Sequence, residues 1–229
     1  SQAQDLTNLK KEMAPLLAKM ASLSERLEMT EAREQALQER MTYSKNQLEA
    51  VFETTQDYRR RLDDQTKRLL LDPLTKVYNR TAFNDRLELE YRRWVRSQRN
   101  LRLVMFDVDN FKAVNDSYGY TAGDKALKII ARTISKRVSE LETVARFGGE
   151  EFILLIPEQS EEYTLELMKS IQREIGQLPF KFREQSIMIT LTAVSTSFRE
   201  SDSPEQVLGR LGKMVRDTKK LGKNQLNWS

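Results

Sequence analysis

The sequence predicts an α/β domain preceded by a long α-helical coiled-coil stalk. Three observations predict it. A seven-residue apolar repeat persists over residues 9–69. The pair Asp72-Pro73 ends that pattern, because the residue before proline is pushed out of helical geometry. Beyond it, apolar runs of strand character alternate with helical spacings, and two of the runs flank the adjacent glycines Gly148-Gly149. The division is therefore expected at 71/72, with a stalk over 1–71 and a globular domain over 72–229.

Composition narrows the chemistry. The 229 residues are 39% hydrophobic and 31% charged, which suits one domain plus an extended element. Residues 1–71 balance 12 basic against 12 acidic residues, so the net charge of +4 lies in residues 72–229. That mild excess fits a phosphate-bearing ligand. No basic run with interleaved aromatics argues for a nucleic-acid groove, and no nucleic-acid partner is expected. Cysteine and histidine are absent. A disulfide framework and a soft-ligand zinc site are thereby excluded, and imidazole cannot serve as acid or base. Any metal must be held by oxygen, which points to Mg²⁺, Mn²⁺ or Ca²⁺. No apolar run has membrane-spanning length and no signal peptide is visible, so a cytoplasmic chain is expected. The first residue is Ser1 rather than Met, so an earlier piece is expected to have been trimmed or processed away.

Alternate steps of four and three from Leu9 to Leu69 visit eighteen positions, thirteen of them apolar. A strict heptad kept this long predicts a left-handed coiled coil, since a lone helix drifts off it. Pro15 predicts a helix start or kink, and Thr30, Glu34 and Ser44 weaken the seam. After Asp72-Pro73, Phe83, Leu87, Tyr91 and Trp94 predict a helix over about 79–97. Leu101 to Phe106 is an apolar strand that ends in Asp107-Val108-Asp109. Two carboxylates so close are unfavourable unless solvated or neutralised by a cation. The loop is not an EF-hand, because Phe111 and Lys112 stand where an oxygen ligand and glycine are needed, and no Walker loop occurs.

Ala126, Leu127, Ile130, Ile134 and Val138 give the next helix its apolar face, with Asp124 expected in its first turn, where the helix dipole favours a carboxylate. Residues 142–147 and 152–156 read as strands of a hairpin closed by Gly148-Gly149, whose glycines would accept positive φ. Glu150 and Glu151 follow at once and should face opposite ways, one free to point at an ion while the other braces the backbone. Residues 160–176 read as helix, Ile187 to Val194 as strand, and Pro204 opens a last helix to about Lys220, with Gly222 as a C′ residue. Lysines at its end suit the helix dipole or phosphates.

The order of these pieces resembles a known family. Asp72-x-Leu74-Thr75 with Asn79-Arg80, Phe106-Asp107-x-Asp109-x-Phe111-Lys112-x-x-Asn115-Asp116, Tyr118-Gly119-x-x-x-Gly123-Asp124, Arg146-Phe147-Gly148-Gly149-Glu150-Glu151-Phe152 and Lys219-x-x-Gly222-Lys223-Asn224 together resemble the GGDEF diguanylate cyclases in their GGEEF form. The resemblance covers roughly residues 72–229. It implies an α+β palm-like nucleotidyl cyclase domain, with a central, mostly antiparallel sheet flanked by helices, and a reaction that joins two GTP into cyclic di-GMP and two pyrophosphates.

By that resemblance Asp107, the backbone carbonyl of Val108, and Glu150 hold Mg²⁺ (or Mn²⁺). Glu150 is also the proton acceptor, with Glu151 as support, and Lys112 steadies transition-state charge. Asn115 and Asp124 read guanine, Phe111 and Tyr120 fall in the same nucleotide-binding motifs, and Lys219 and Lys223 reach the terminal phosphates. Departures are Tyr120 for the usual His, Thr192-Ala193-Val194, Leu211-Gly212 and Met214-Val215-Arg216. The family's product-inhibition motif R-x-x-D falls on Ser139-Glu140-Leu141-Glu142, which lacks the arginine, so feedback through that site is not expected. A homodimer through the coiled coil is expected to bring two active sites together, with a regulatory protein gripping the stalk as input. The alternative is a nonproductive domain of this kind that holds GTP or reports to a partner.

Overall fold

A computed structural model describes all residues, 1–229. The chain divides into two compact units, 1–63 and 64–229, and helix α1 (Gln2–Leu70) runs through the division. The first unit is a single helix without a buried side chain. Its seam leucines stand open, with Leu27 60% and Leu48 70% exposed. The helix starts at Gln2 and continues through Pro15, so the expected start at the proline does not occur. The proline removes one N–H bond, and the carbonyl it leaves belongs to exposed Lys11, where water can replace the donor. No helix is long and apolar enough to cross a membrane.

The second unit is a sheet sandwiched between helices. In order come α2 (Arg80–Ser97), β1 (Leu101–Val108), α3 (Phe111–Tyr118), α4 (Tyr120–Arg137), β2 (Thr143–Arg146), β3 (Glu151–Pro157), α5 (Glu161–Gln177), β4 (Phe180–Phe182), β5 (Gln185–Ile187), β6 (Leu191–Ser197), α6 (Pro204–Lys219) and β7 (Leu226–Trp228). The main sheet has the order β2-β3-β1-β6-β7, antiparallel except for the parallel β6–β7 pair. β4 and β5 form a separate hairpin.

β1 is central and buried along its whole length, which is why its sequence reads as a continuous apolar run. Side-chain alternation splits it between two cores. Leu101, Leu103 and Met105 join the cluster with Phe83, Leu87 and Leu211 of α2 and α6, while Val104, Phe106 and Val108 join Ile130, Ile134 and Ile171 of α4 and α5. Arg102 is 2% exposed, stacks 3.7 Å above the Trp228 ring and donates to Ser195 Oγ and to the Ser229 carbonyl, both at 3.0 Å. It therefore ties β7 to the sheet.

Asn79 makes the join at Asp72-Pro73 compact. Its side chain accepts from the Ala82 N–H at the start of α2 and donates to the Leu69 carbonyl at the end of α1, both at 2.8 Å, so it satisfies orphan groups of two helices. The strand expected over 187–194 is shifted. Its first residue closes β5, and β6 begins only at Leu191. α3, β4 and β7 are elements the sequence reading did not anticipate.

Candidate active site

The end of β1 presents Asp107 and then Val108 at the sheet rim. Asp107 lies opposite Glu151 in the β1–β3 register, so the two side chains share a face, the face that α2 and α6 cover. Like charges directly opposite on neighbouring strands repel. The counter-charge comes from Lys219, the last residue of α6, whose ammonium is ion-paired with Asp107 Oδ1 and lies 3.4 Å from the Val108 carbonyl oxygen. Glu150 sits one residue earlier, and its carbonyl accepts from the Val108 N–H at 3.1 Å, which ties the β3 entry to the β1 exit.

Asp107 is 8% exposed. Burial, with repulsion from Glu151 and Glu150, outweighs the pull of Lys219 and pushes its pKa up to about 6. Burial also raises Glu151, with Glu150 adding repulsion while Arg80 and Lys219 oppose it.

The turn that carries the two glutamates is held from several directions. Phe147 N–H donates to the Glu151 carbonyl at 2.8 Å. Arg146 donates to the Gly149 carbonyl from Nε (3.1 Å) and Nη2 (2.7 Å), and its Nη1 pairs with Asp72 at 3.3 Å. Asp72 in turn accepts from the Thr75 N–H at 2.8 Å and the Thr75 hydroxyl at 2.7 Å. Burial pushes the Asp72 carboxyl up, but Thr75 and Arg146 together outweigh it and hold the pKa below the usual carboxylate value. The Phe147 ring meets Phe83 edge-on at 5.9 Å and lies 4.2 Å beneath the Arg80 guanidinium. The glycines do not serve as expected, since neither has positive φ. Gly148 leaves room for the Glu151 carboxylate, because a Cβ there would lie 2.6 Å from Glu151 Oε1 and the side chain would have to shift. Of the two glutamates, Glu151 is thus the one folded against the turn.

A second group forms where α3 meets α4. Gly119, at φ 87, makes the corner between them and donates to the Asn115 carbonyl at 2.8 Å. Asn115 Oδ1 is buried and has no hydrogen-bond partner. Gly123 leaves room for it, since a Cβ there would come 1.8 Å from that oxygen and 3.1 Å from Phe111 Cζ. Phe111, Asn115 and the start of α4 are therefore brought together. Asp124, next to Gly123, is exposed. It is not in the first turn, as expected from sequence, because α4 begins at Tyr120 directly after the Gly119 corner. Tyr120 is 79% exposed, and Lys112 and Lys223 are exposed as well. Gly222, at φ 123, stands two residues past the Lys220 cap of α6 rather than at C′.

Several residues at the site were not singled out as contributors from sequence. Asp109, the second acid of Asp-x-Asp, is buried and fully used. It accepts from the hydroxyls of Thr190 (2.7 Å) and Thr192 (2.6 Å) and from the Asn224 N–H (2.8 Å). It pins the segment after α6 to the end of β1. Arg146, Asp72 and Arg80 belong to the support just described. Their pairing spans up to 74 residues, so only their places in the motifs could have signalled it. Glu142, in the Ser139–Glu142 window, is buried and accepts from the Ser139 N–H at 2.6 Å, and its presence beside Tyr163 pushes that phenol up to about 12.

No three Asp or Glu side chains gather into a ready-made metal cage. The donors that do converge are hard oxygens, the Asp107 carboxylate and the Val108 carbonyl. One cationic nitrogen already contacts both, so the pair fits a cation with oxygen preference.

Comparison with known proteins identifies the family and the fold. Residues 69–225 match the family described as "Diguanylate cyclase, GGDEF domain", and residues 1–54 match the "DGC-associated coil". The diguanylate cyclase DgcP of Pseudomonas aeruginosa is 34% identical over 226 residues, which are 98% of this chain and 34% of that protein. The chain thus spans about a third of that relative's length. The coiled coil and GGDEF domain of DgcB from Caulobacter crescentus, solved with c-di-GMP, superposes with a TM-score of 0.74 over 81% of this chain and 98% of that one at 22% identity, a likeness of fold. Diguanylate cyclase SiaD from Pseudomonas aeruginosa, solved with its activator SiaC, superposes with a TM-score of 0.68 at 27% identity over 99% of this chain and 90% of that one. With a match over more than half of its residues and the motifs in place on the expected fold, the chain belongs to the GGDEF-domain family of diguanylate cyclases.

Proposed function

We propose that this chain condenses two GTP into cyclic di-GMP and two pyrophosphates, one GTP held by each of two facing protomers. The observation that supports the reading most is the meeting of Asp107, Val108, Glu150, Glu151 and Lys219 at one strand end, within a domain of this family. The 3′-oxygen of one GTP forms a bond to the α-phosphorus of the other as the bond from that phosphorus to pyrophosphate breaks. Glu150 accepts the hydroxyl proton. Glu151, folded against Gly148, keeps the turn in shape and adds negative charge beside Glu150. Lys112 steadies charge on the phosphoryl oxygens, and Lys223 and Lys219 reach the terminal phosphates. Asn115 and Asp124 read guanine, which offers an N1–H and a 2-amino group where adenine offers no such pair, and Phe111 and Tyr120 line the base. Asn115 supports this reading with an acceptor that is buried and unpaired. Asp107, the Val108 carbonyl and Glu150 would hold Mg²⁺ or Mn²⁺, which neutralises phosphate charge and polarises the reacting group when bound.

The stalk, residues 1–71, serves as dimerisation and input element for the catalytic domain, residues 72–229. Its open apolar stripe supports pairing with a second copy, which raises the effective concentration of one active site near the other. That SiaD is solved with an activator protein supports a regulatory partner here, and the stalk is the surface we assign to it. Product feedback through Ser139–Glu142 is absent, because no guanidinium is present and Glu142 is turned inward onto the Ser139 N–H. We place the chain in the cytoplasm, where GTP is supplied.

The test is incubation of purified chain with GTP and Mg²⁺ over a range of protein concentrations, with products separated by chromatography. Cyclic di-GMP at a rate rising faster than linearly with protein supports the proposal. GTP left intact at every concentration, even with cell lysate added as a source of the partner, overturns it.

A further inference from the structure

The contact between Lys219 and the end of β1 carries a consequence for how the site loads. Lys219 does not extend into solvent. Its ammonium lies against Asp107 Oδ1 and 3.4 Å from the Val108 carbonyl oxygen, two of the three oxygens assigned above to the divalent ion. The pair is shielded, with the Asp107 side chain 11% and the Lys219 side chain 33% exposed, so water and salt screen it only in part. We propose that Lys219 is a tethered competitor for the divalent ion: metal enters only as the ammonium leaves, and a nucleotide drives the exchange by giving that ammonium phosphates to pair with. This rests on the reading of Asp107 and Val108 as metal-holding.

The surroundings decide which part moves. Lys219 ends α6, and the segment after it is anchored: the Leu221 N–H donates to the Thr218 carbonyl at 3.0 Å, and the Asn224 N–H donates to Asp109 at 2.8 Å. Asp109 is itself fixed by Thr190 and Thr192. The backbone on both sides of the lysine is thus held to the helix and to β1, and the exchange is a swing of the four-carbon side chain. A lysine suits this role because its charge is compact and its stem has many rotamers, whereas a planar guanidinium would hold the carboxylate more rigidly. The chain gains a site whose buried carboxylate always has a counter-charge. An empty Asp107 facing Glu151 and Glu150 would otherwise be an uncompensated buried charge. It also gains order, since metal without nucleotide meets an occupied site.

The experiment is Mn²⁺ binding to nucleotide-free protein, read from the electron paramagnetic resonance signal of free Mn²⁺. The chains compared are the parent, Lys219→Met, Lys219→Gln and Lys219→Met combined with Asp107→Asn. The proposal expects both single variants to bind Mn²⁺ on the order of tenfold more tightly than the parent, since a shielded unit charge a few ångströms from the ion is removed. It expects the same variants to bind GTP more weakly, and Asp107→Asn to abolish the gain. A phosphate-contacting lysine with no other part would leave Mn²⁺ affinity unchanged and lower GTP affinity alone, and that result overturns the proposal while leaving the metal assignment intact. Tight Mn²⁺ binding that survives Asp107→Asn overturns the metal assignment, and this inference with it.

Discussion

Gly123→Ala separates recognition from folding. Gly123 lies inside α4, and its backbone is not in the left-handed region, so alanine is conformationally acceptable there. Helix propensity alone favours the substitution by about 1 kcal/mol. Against this, the new Cβ would stand 1.8 Å from Asn115 Oδ1, 3.0 Å from its Cγ and 3.1 Å from Phe111 Cζ. The first two atoms are the far end of a short side chain, which can rotate away at low cost, while the Phe111 contact needs only a few tenths of an ångström. Global stability should therefore change by no more than about 1 kcal/mol, or about 4 °C in Tm for a unit of this size. GTP affinity should fall much further. If Asn115 reads guanine as proposed, displacing it leaves a guanine donor without its acceptor, which costs about 1–3 kcal/mol, roughly a 5- to 150-fold rise in Kd. The assay is calorimetric titration of GTP in a Glu150→Gln background, where turnover does not confuse binding, together with a thermal melt. Asn115→Ala closes a double-mutant cycle. If glycine acts by making room for Asn115, adding Gly123→Ala to Asn115→Ala costs nothing further. A further loss as large as in the parent, or an unchanged Kd in the parent, would refute the reasoning.

Three other outcomes follow from the same structure. Arg146→Ala removes both bonds to the Gly149 carbonyl and the pair with Asp72, so a loss of about 2 kcal/mol is expected from hydrogen bonds to charged groups, with a larger fractional loss of cyclase activity than of GTP binding; equal losses would show that the arginine does not position the turn. Asp72 has a folded pKa below its ordinary value of 3.8, so the unfolded chain binds its proton first. The stability it contributes is complete above about pH 4 and falls as pH drops through the lowered value. Asp72→Asn should therefore lower Tm at pH 7 and have a smaller effect near pH 3, and an equal shift at both would contradict it. Leu23→Glu with Leu27→Glu places charges on two exposed seam positions, 60% open in each case, and should convert a dimer into a monomer by light scattering at micromolar protein. A dimer that survives would remove the stalk from the assembly.

Much of the fold could be read locally. The heptad over 9–69, the buried run of β1 and the helical faces of α2, α4 and α6 each announce themselves within a dozen residues, because burial on one face writes its period into the sequence. The missed elements lacked such a signal. α3 has eight residues and starts from Asn110 at φ 54, with no side-chain cap. The β4–β5 hairpin turns on Arg183 and Glu184, both at positive φ without a glycine between the strands, so no turn signal marks it. β7 is three residues long and pairs in parallel with β6, a long-range contact that no local pattern encodes.

In the site the same division holds. The acids at the strand end and after the glycine pair could be picked out by spacing, but their partners could not. Asp107 and Asp109 look equivalent in sequence, yet the threonines of the segment Thr190–Thr192, some eighty residues away, take up Asp109 and leave Asp107 to Lys219. Gly148 is expected from sequence to supply positive φ, but its φ is not positive, and its missing Cβ instead leaves room for the Glu151 carboxylate.

The central claim is that the strand-end carboxylates make this domain a GTP-condensing centre, with Glu150 as its proton acceptor. The most direct measurement is the yield of cyclic di-GMP from GTP and Mg²⁺ for the parent and for Glu150→Gln, with GTP binding measured on both. The account predicts product from the parent, and from Glu150→Gln retained GTP binding with product reduced by about a thousandfold or more, as loss of an acid–base group implies. Product from Glu150→Gln at the parent's rate would contradict it.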